Sequence, residues 1–355
     1  MKYELQLIRL LANINISDEN LNKINELFDK DINWSIFVDE CFKNKISNLI
    51  IYNIKTYNYI EKIPYYIFKI FNGYWDHSVL KLSRYYTGIE SILSDINKLQ
   101  IPYAVLKGYD IINKIYASKS LYMREFNDLD ILVDKSNLEP IIKILQDQSF
   151  IYGDYNFAND ELKSATRYDI IRMKMDSHQL YTFVKKVNYN ENPKIFGPLF
   201  IDINFSVFEG GKMPDLIDTN TLLENGVVMN SFNDFKYLSL DIYYTLIQLV
   251  LHLYREARTQ ELKMHNIDFT LHKFCDINEY IKKYSNYWDI TKLRNMIKEY
   301  KLEEAFLFVL HFTDMLFETN YINSVLDNYC AKKITYDVYD NYFKHKYSLF
   351  DQNVH

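Results

Sequence analysis

A chain of 355 residues that is 48% hydrophobic and 25% charged has the make-up of a globular protein with room for two or three domains. Its net charge of −6 argues against a long polyanion such as DNA or tRNA as partner, which calls for a basic face. No apolar run reaches the roughly 18 residues of a membrane span, and Met1-Lys2-Tyr3-Glu4-Leu5 does not read as a secretory leader. Cys41, Cys275 and Cys330 are odd in number and far apart, which suggests neither a disulfide framework nor a zinc site. The expectation is a cytoplasmic chain.

With only 8 Gly and 6 Pro, breakers are too few for short elements throughout, so long helices are expected. Residues 1 to about 95 read as helical. Leu5, Leu7, Ile8, Leu10 and Leu11 give one helical face. Ser17-Asp18-Glu19-Asn20 is a helix start, and Trp34, Phe37, Val38 and Phe42 repeat at helical spacing. Trp75 to Leu99 predicts a further long helix, ended by Ile101-Pro102. The 32 tyrosines are read as packed rings with wetted hydroxyls rather than as base-stacking platforms.

From about residue 101 the pattern changes. Tyr103 to Leu106 predicts a strand that runs into Lys107-Gly108, followed by a helix marked by Ile111, Ile112, Ile115 and Tyr116. Leu129 to Val133 predicts a second strand and Asn137 to Gln146 a second helix. Leu180 to Val187 and Leu199 to Phe208 predict two more strands. The order β-α-β-α-β-β gives an α+β domain, a mixed sheet with helices, over about residues 96–230. Beyond the polar stretch Asn230 to Asp234 the helical period returns, over Leu238 to Arg255, Phe269 to Tyr284, Ile290 to Tyr300 and Leu302 to Phe317. Three regions are therefore expected: helical 1–95, mixed 96–230, helical 231–355.

Chemistry concentrates in Asn127-Asp128-Leu129-Asp130-Ile131-Leu132-Val133. Side chains two apart on a strand share a face, about 7 Å apart at the backbone, so the Asp128 and Asp130 carboxylates can bridge divalent ions while Leu129, Ile131 and Val133 anchor the strand. A paired-metal site asks for a third carboxylate on a neighbouring strand. Asp202 supplies it, within the apolar run Phe200-Ile201-Asp202-Ile203-Asn204-Phe205, where an unpaired charge is costly. Glu209 is the fallback ligand. Lys107-Gly108 ends a strand and opens a helix, a place where backbone approaches a phosphate closely, and Lys107 or Arg124 adds positive charge. Each piece alone has a bland reading, a solvated strand edge, a turn or a structural ion pair; their combination and order are more specific.

Leu106-Lys107-Gly108, then Arg124, then Asp128-Leu129-Asp130-Ile131-Leu132-Val133 resembles the pattern of a bacterial nucleotidyltransferase family within the DNA-polymerase-beta-like superfamily. The strand around Asp202, the helix that begins with Trp34, Leu249 to Glu256 with His252, and Phe274-Cys275-Asp276-Ile277 extend the similarity over about residues 30 to 320. Two departures stand out. Lys107-Gly108 replaces the Gly-Gly or Gly-Ser of many superfamily members, and Asn204 stands where the family has His.

The resemblance implies a polymerase-beta-like nucleotidyltransferase domain flanked by helical regions. It implies transfer of a nucleoside monophosphate, AMP from ATP by default, to a small-molecule, peptide or protein acceptor. Asp128, Asp130 and Asp202 would be catalytic and would hold Mg²⁺, with Mn²⁺ as the other candidate ion. Lys107, Gly108, Arg124 and His252 would bind the nucleotide. His252 also has the reading of a satisfied core histidine, and Asp276 that of a polar anchor between helices; His178, Glu256 and Arg258 carry weaker signals. The competing functional reading is a non-catalytic nucleotide-binding or antitoxin-like interaction protein that kept the fold. The three intact carboxylates weigh against it.

Overall fold

The computed structural model of the chain describes residues 3–186, 197–207, 217–258 and 270–326. The expected Glu209, Arg258 (as a side chain) and Cys330 lie outside what is described. The chain divides into two compact units, Met1–Asp76 with Leu246–His355, and His77–Thr245. The cuts thus fall at 76 and 245, whereas the sequence places them at 95 and 230. The helix α5 (Tyr65–Lys98) and the helix α10 (Ile242–Arg258) each run across a unit boundary.

The first unit is helical. Its amino-terminal part holds α1 (Tyr3–Leu11), α2 (Asp18–Phe28), α3 (Trp34–Lys43) and α4 (Ser47–Thr56). The cap of α2 is the one the sequence calls for, and α3 has a cap of the same kind. Ser17 accepts from the Asn20 N–H at the start of α2, and Asn33 accepts from the Ile36 N–H at the start of α3. Leu5, Leu7, Ile8, Leu10 and Leu11 are all buried. The carboxy-terminal part holds α11 (Leu271–Tyr284), α12 (Ile290–Glu299) and α13 (Glu303–Phe317). Here His252 faces Glu256 one turn on, at 3.3 Å, and Lys273 pairs with the same carboxylate. Asp276 is buried on α11. No described helix is long and apolar enough to cross a membrane.

The second unit is built on a mixed sheet of eight strands, β1 (Tyr103–Leu106), β2 (Asp128–Val133), β3 (Ile151–Asn156), β4 (Glu161–Ser164), β5 (Phe183–Lys186), β6 (Pro198–Asn204), β7 (Val227–Asn230) and β8 (Lys236–Ser239). Their spatial order is β4-β3-β5-β6-β2-β1-β8-β7. β2 runs parallel to β6, β1 runs parallel to β8, and the remaining pairs are antiparallel. The mixed sheet with helices is as expected, but four of its strands were not. β3 and β4 form an edge hairpin whose outer strand is exposed throughout, so it carries no clean apolar alternation. β7 and β8 flank the segment read as a polar boundary, and β8 takes in Leu238, where the sequence reads the start of a helix.

The central strands β2 and β6 are apolar on one face. Leu129, Ile131, Ile201 and Ile203 are completely buried on it. α5 lies over this face. A Cβ on Gly88 would meet the Leu199 side chain at 3.3 Å, and the Tyr103 hydroxyl bonds Asn97 at 2.7 Å. The close approach places this part of the helix against the strands, with Asp128, Asp130 and Asp202 on the opposite face; earlier in α5, Tyr85 and Lys81 reach the strand ends at Pro198 and Asn127.

Strand β1 turns into α6 (Lys107–Ile111), which continues as a wider π turn over Ile112–Tyr116. The helix begins at Lys107. It is locked from below by Lys114, a fully buried lysine whose ammonium bonds Asp110 at 2.9 Å, Ser239 at 2.6 Å, Thr245 at 2.7 Å and the Leu240 carbonyl at 2.8 Å. A charge taken out of water this completely persists only because it is paired and hydrogen-bonded. α7 (Leu138–Asp147), α8 (Arg167–Asp176) and α9 (Thr219–Glu224) complete the unit.

Candidate active site

Parallel pairing of β2 with β6 sets Asp128 beside Phe200 and Asp130 beside Asp202. Because side chains alternate between faces, all four share one face of the sheet. Neighbouring strands lie about 5 Å apart, so the three carboxylates form a compact group across two strands. Asp130 is buried, at 3% exposure, and the other two are half-buried.

Two neutral donors and one cation already hold this group. The Lys107 ammonium bonds Asp130 Oδ1 at 2.8 Å, and Asn204 Nδ2 donates to the same oxygen at 3.2 Å. The Thr182 hydroxyl donates to Asp202 Oδ1 at 2.6 Å. Like charges and burial still leave the cluster short of positive charge. Burial first, then Asp130 and Asp128, push the Asp202 carboxyl up to about 7, against the pull of Thr182 and Lys107. Asp128 is raised by burial and by Asp130, against Lys107 and Arg124. Among the described residues, no three or more His, Cys, Asp or Glu side chains are gathered as a ready-made metal shell. Oxygens that a metal would share are turned instead toward Lys107, Asn204 and Thr182.

Lys107 reaches Asp130 from a left-handed backbone position, φ +48°. Only the tight turn from β1 into α6 calls for it, since a side chain there is disfavoured. Gly108 follows, and its lack of a side chain is a packing need. A Cβ would sit 2.7 Å from Phe126 Cβ and 3.6 Å from Arg124 Nη1. The sequence argued this glycine from phosphate approach; the structure adds that it lets the 124–128 segment lie against α6. Arg124 donates to the Glu125 carbonyl at 3.0 Å, and its charge is felt at Asp128.

Asp128, Asp130, Asp202, Lys107, Gly108 and Arg124 thus fall together in one unit, around the start of β2. His252 belongs to the other unit, as one member of the Glu256 and Lys273 cluster. Thr182 was missed because a lone threonine beside a strand carries no signal until its partner strand is known. Asn204, noted as a departure from the family's His, is seen to donate to Asp130.

No curated protein is significantly similar to the chain. The carboxylate arrangement and the turn that precedes it lie within the segment covered by one family's sequence pattern. That pattern matches residues 30–318, more than half of the chain, and the chain belongs to the family described as uncharacterised nucleotidyltransferase.

Proposed function

We propose that the chain transfers a nucleoside monophosphate from a nucleoside triphosphate, ATP by default, to a hydroxyl acceptor, with release of pyrophosphate. The observation that carries this reading is the register that seats Asp202 beside Asp130, with Asp128 on the same face. Three carboxylates at such spacing, with the proton affinities of Asp128 and Asp202 raised by burial and then by the neighbouring carboxylates, form a site that a divalent cation would relieve. The donor set fits Mg²⁺. That ion takes one or two carboxylates together with phosphate oxygens and keeps several waters, and does not need an all-protein cage. Bound there, two such ions would make the attacking hydroxyl more acidic and neutralise charge on the phosphates.

The remaining work belongs to the chain's own residues. Asp128 and Asp130 would hold the metal on the triphosphate side, with Lys107 turning from Asp130 to a phosphate oxygen and Arg124 adding a second cation. Asp202, facing the acceptor, would help hold the acceptor-side ion and take the hydroxyl proton. Thr182 orients it from the neighbouring strand end.

Incubating the purified protein with labelled triphosphates, Mg²⁺ and cell extract, followed by intact-mass analysis, tests the reading. The expected result is an adduct of one nucleotide on a small molecule or protein, lost in Asp128→Asn. Absence of any adduct with all four triphosphates would favour a binding protein that kept the fold.

A further inference from the structure

The carboxylates have two flanks. On the β1 side stand Lys107 and Arg124, the cations suited to a triphosphate. On the β6 side a cavity of about 480 Å³ opens at the start of β2 and β6. Asn127 and Phe200 line it, the first directly preceding Asp128 and the second being the strand partner of Asp128. The cavity therefore adjoins Asp128 through its neighbour in the chain and its partner across the strands.

Four aromatic rings line it together with the polar side chains of His77, Asn159 and Asp160. Tyr85, from α5, is buried and fixed by its hydroxyl, which donates to the Pro198 carbonyl at 2.6 Å. Tyr155 and Phe157 come from the β3–β4 hairpin and pack edge to face, with centroids 4.9 Å apart. Phe157 is 72% exposed at the mouth, an apolar ring that a bound partner would cover. Lys81 lies 5.3 Å above the Tyr85 ring and bonds the Asn127 side chain at 2.6 Å, closing the wall nearest Asp128.

We propose that this cavity is the acceptor subsite and that the acceptor is a small molecule with a flat aromatic ring and a hydroxyl on or beside it. The assignment rests on the nucleotidyl transfer proposed above. The volume falls within the usual range for small-molecule sites, and four aromatic side chains favour a flat ring over an aliphatic one of similar size. The side of the sheet decides between acceptor and nucleobase. On the sheet the cavity is lined by Phe200 of β6, the strand of Asp202, and neither Lys107 nor Arg124 is among its lining residues. In the step this implies, the hydroxyl oxygen forms a bond to the α-phosphorus. The bond from that phosphorus to the pyrophosphate oxygen breaks, and its electron pair leaves with pyrophosphate. The hydroxyl proton goes to Asp202.

Ligand-observed NMR with benzyl alcohol and cyclohexylmethanol as probes, beside calorimetry with ATP–Mg²⁺ and with tripolyphosphate, tests the assignment in wild type, Phe157→Ala and Phe200→Ala. Phe157 is exposed enough for its variant to fold. Benzyl alcohol should bind wild type about fivefold more tightly than cyclohexylmethanol, and each variant should lose that preference. ATP–Mg²⁺ affinity should stay within about twofold in both variants, since the base lies elsewhere. Equal binding of the two probes, or a preference untouched in both variants, overturns the aromatic subsite. A loss of ATP affinity with tripolyphosphate affinity unchanged also overturns it, by placing the nucleobase in the cavity. A ring preference in a protein that never takes ATP–Mg²⁺ removes the proposed reaction and with it the acceptor role. ATP–Mg²⁺ binding without a ring preference removes only the subsite.

Discussion

Asp130 on β2 and Asp202 on the parallel strand β6 are direct neighbours, and each is held by a different polar side chain, Asn204 for the first and Thr182 for the second. The pair is thus oriented before any ligand arrives, yet carries more negative charge than Lys107 balances.

That excess has a pH consequence. Asp202 holds its proton up to about 7 when folded, above its ordinary value of 3.8. Between these values the folded protein binds more protons than the unfolded chain, so stability falls as pH rises through that window and stays lower above it. Asp202→Asn removes the titrating group. Metal-free wild type should therefore lose more melting temperature than Asp202→Asn between pH 5 and pH 8. Parallel pH profiles for the two proteins would contradict the raised proton affinity. In turnover, Asp202→Ala should cost several orders of magnitude and weaken nucleotide binding less, because it would serve mainly the acceptor side.

Metal and triphosphate should bind as one complex. ATP with Mg²⁺ should raise the melting temperature well beyond either alone, and the double change Asp128→Asn, Asp130→Asn should abolish the gain while leaving the fold intact. Circular dichroism checks the fold and thermal scanning the gain. A synergistic gain that survives in the double variant would place the metal elsewhere.

Lys107 combines a charge with a left-handed backbone, and two substitutions separate these. Lys107→Ala and Lys107→Gly both remove the ammonium and should both weaken nucleotide binding by about ten- to a hundredfold, as for a lost charge-assisted contact of about 1.5–3 kcal/mol. Only the alanine keeps the left-handed strain, so the glycine variant should be the more stable by about 1 kcal/mol. Unchanged affinity in both variants would leave Lys107 as a structural counter-ion to Asp130 alone.

Gly108→Ala drives a methyl group into Phe126, with 2.7 Å available. Overpacking of this kind costs about 1–3 kcal/mol, and here it also shifts the segment that carries Arg124 and Asp128. Denaturant unfolding should show the loss of stability, and nucleotide titration a parallel loss of affinity. Pairing it with Phe126→Ala should recover part of both. A fully stable Gly108→Ala with weakened nucleotide binding would instead point to the phosphate approach argued from the sequence.

The candidate site was legible in part: Asp128 and Asp130 sit two apart in an apolar strand, so alternation sets them on one face, but only the register of β2 against β6 brings Asp202 to that face. The hairpin β3–β4 was not legible, since an exposed edge strand such as Glu161–Ser164 buries nothing and so shows no period. The long helix was read from Trp75 although it begins at Tyr65; Gly73 interrupts the pattern, but a side chain there would meet open space, so no packing constraint marks it. Partners such as Thr182 and Lys114 are set by pairings distant in sequence, and no window reveals them. Asn204 was seen as a departure before its role was visible. Its bond to Asp130 replaces whatever a histidine would do there with a neutral donor that does not titrate.

The parallel pairing of β2 with β6 also fixes an order of events. Asn204 and Asp130 are 74 residues apart in the chain, and parallel strands cannot be joined by a tight turn. During synthesis Lys107, Asp128 and Asp130 leave the ribosome well before Asp202, and β2 can be completed on its inner side only when β6 has been made. The nascent chain therefore passes through a stage with two acidic ligands, a lysine beside them and no third carboxylate. Contacts between such distant segments form slowly, so the carboxylate group is assembled late, and under the proposed role of Asp202 a truncated product that stops before β6 would be inactive.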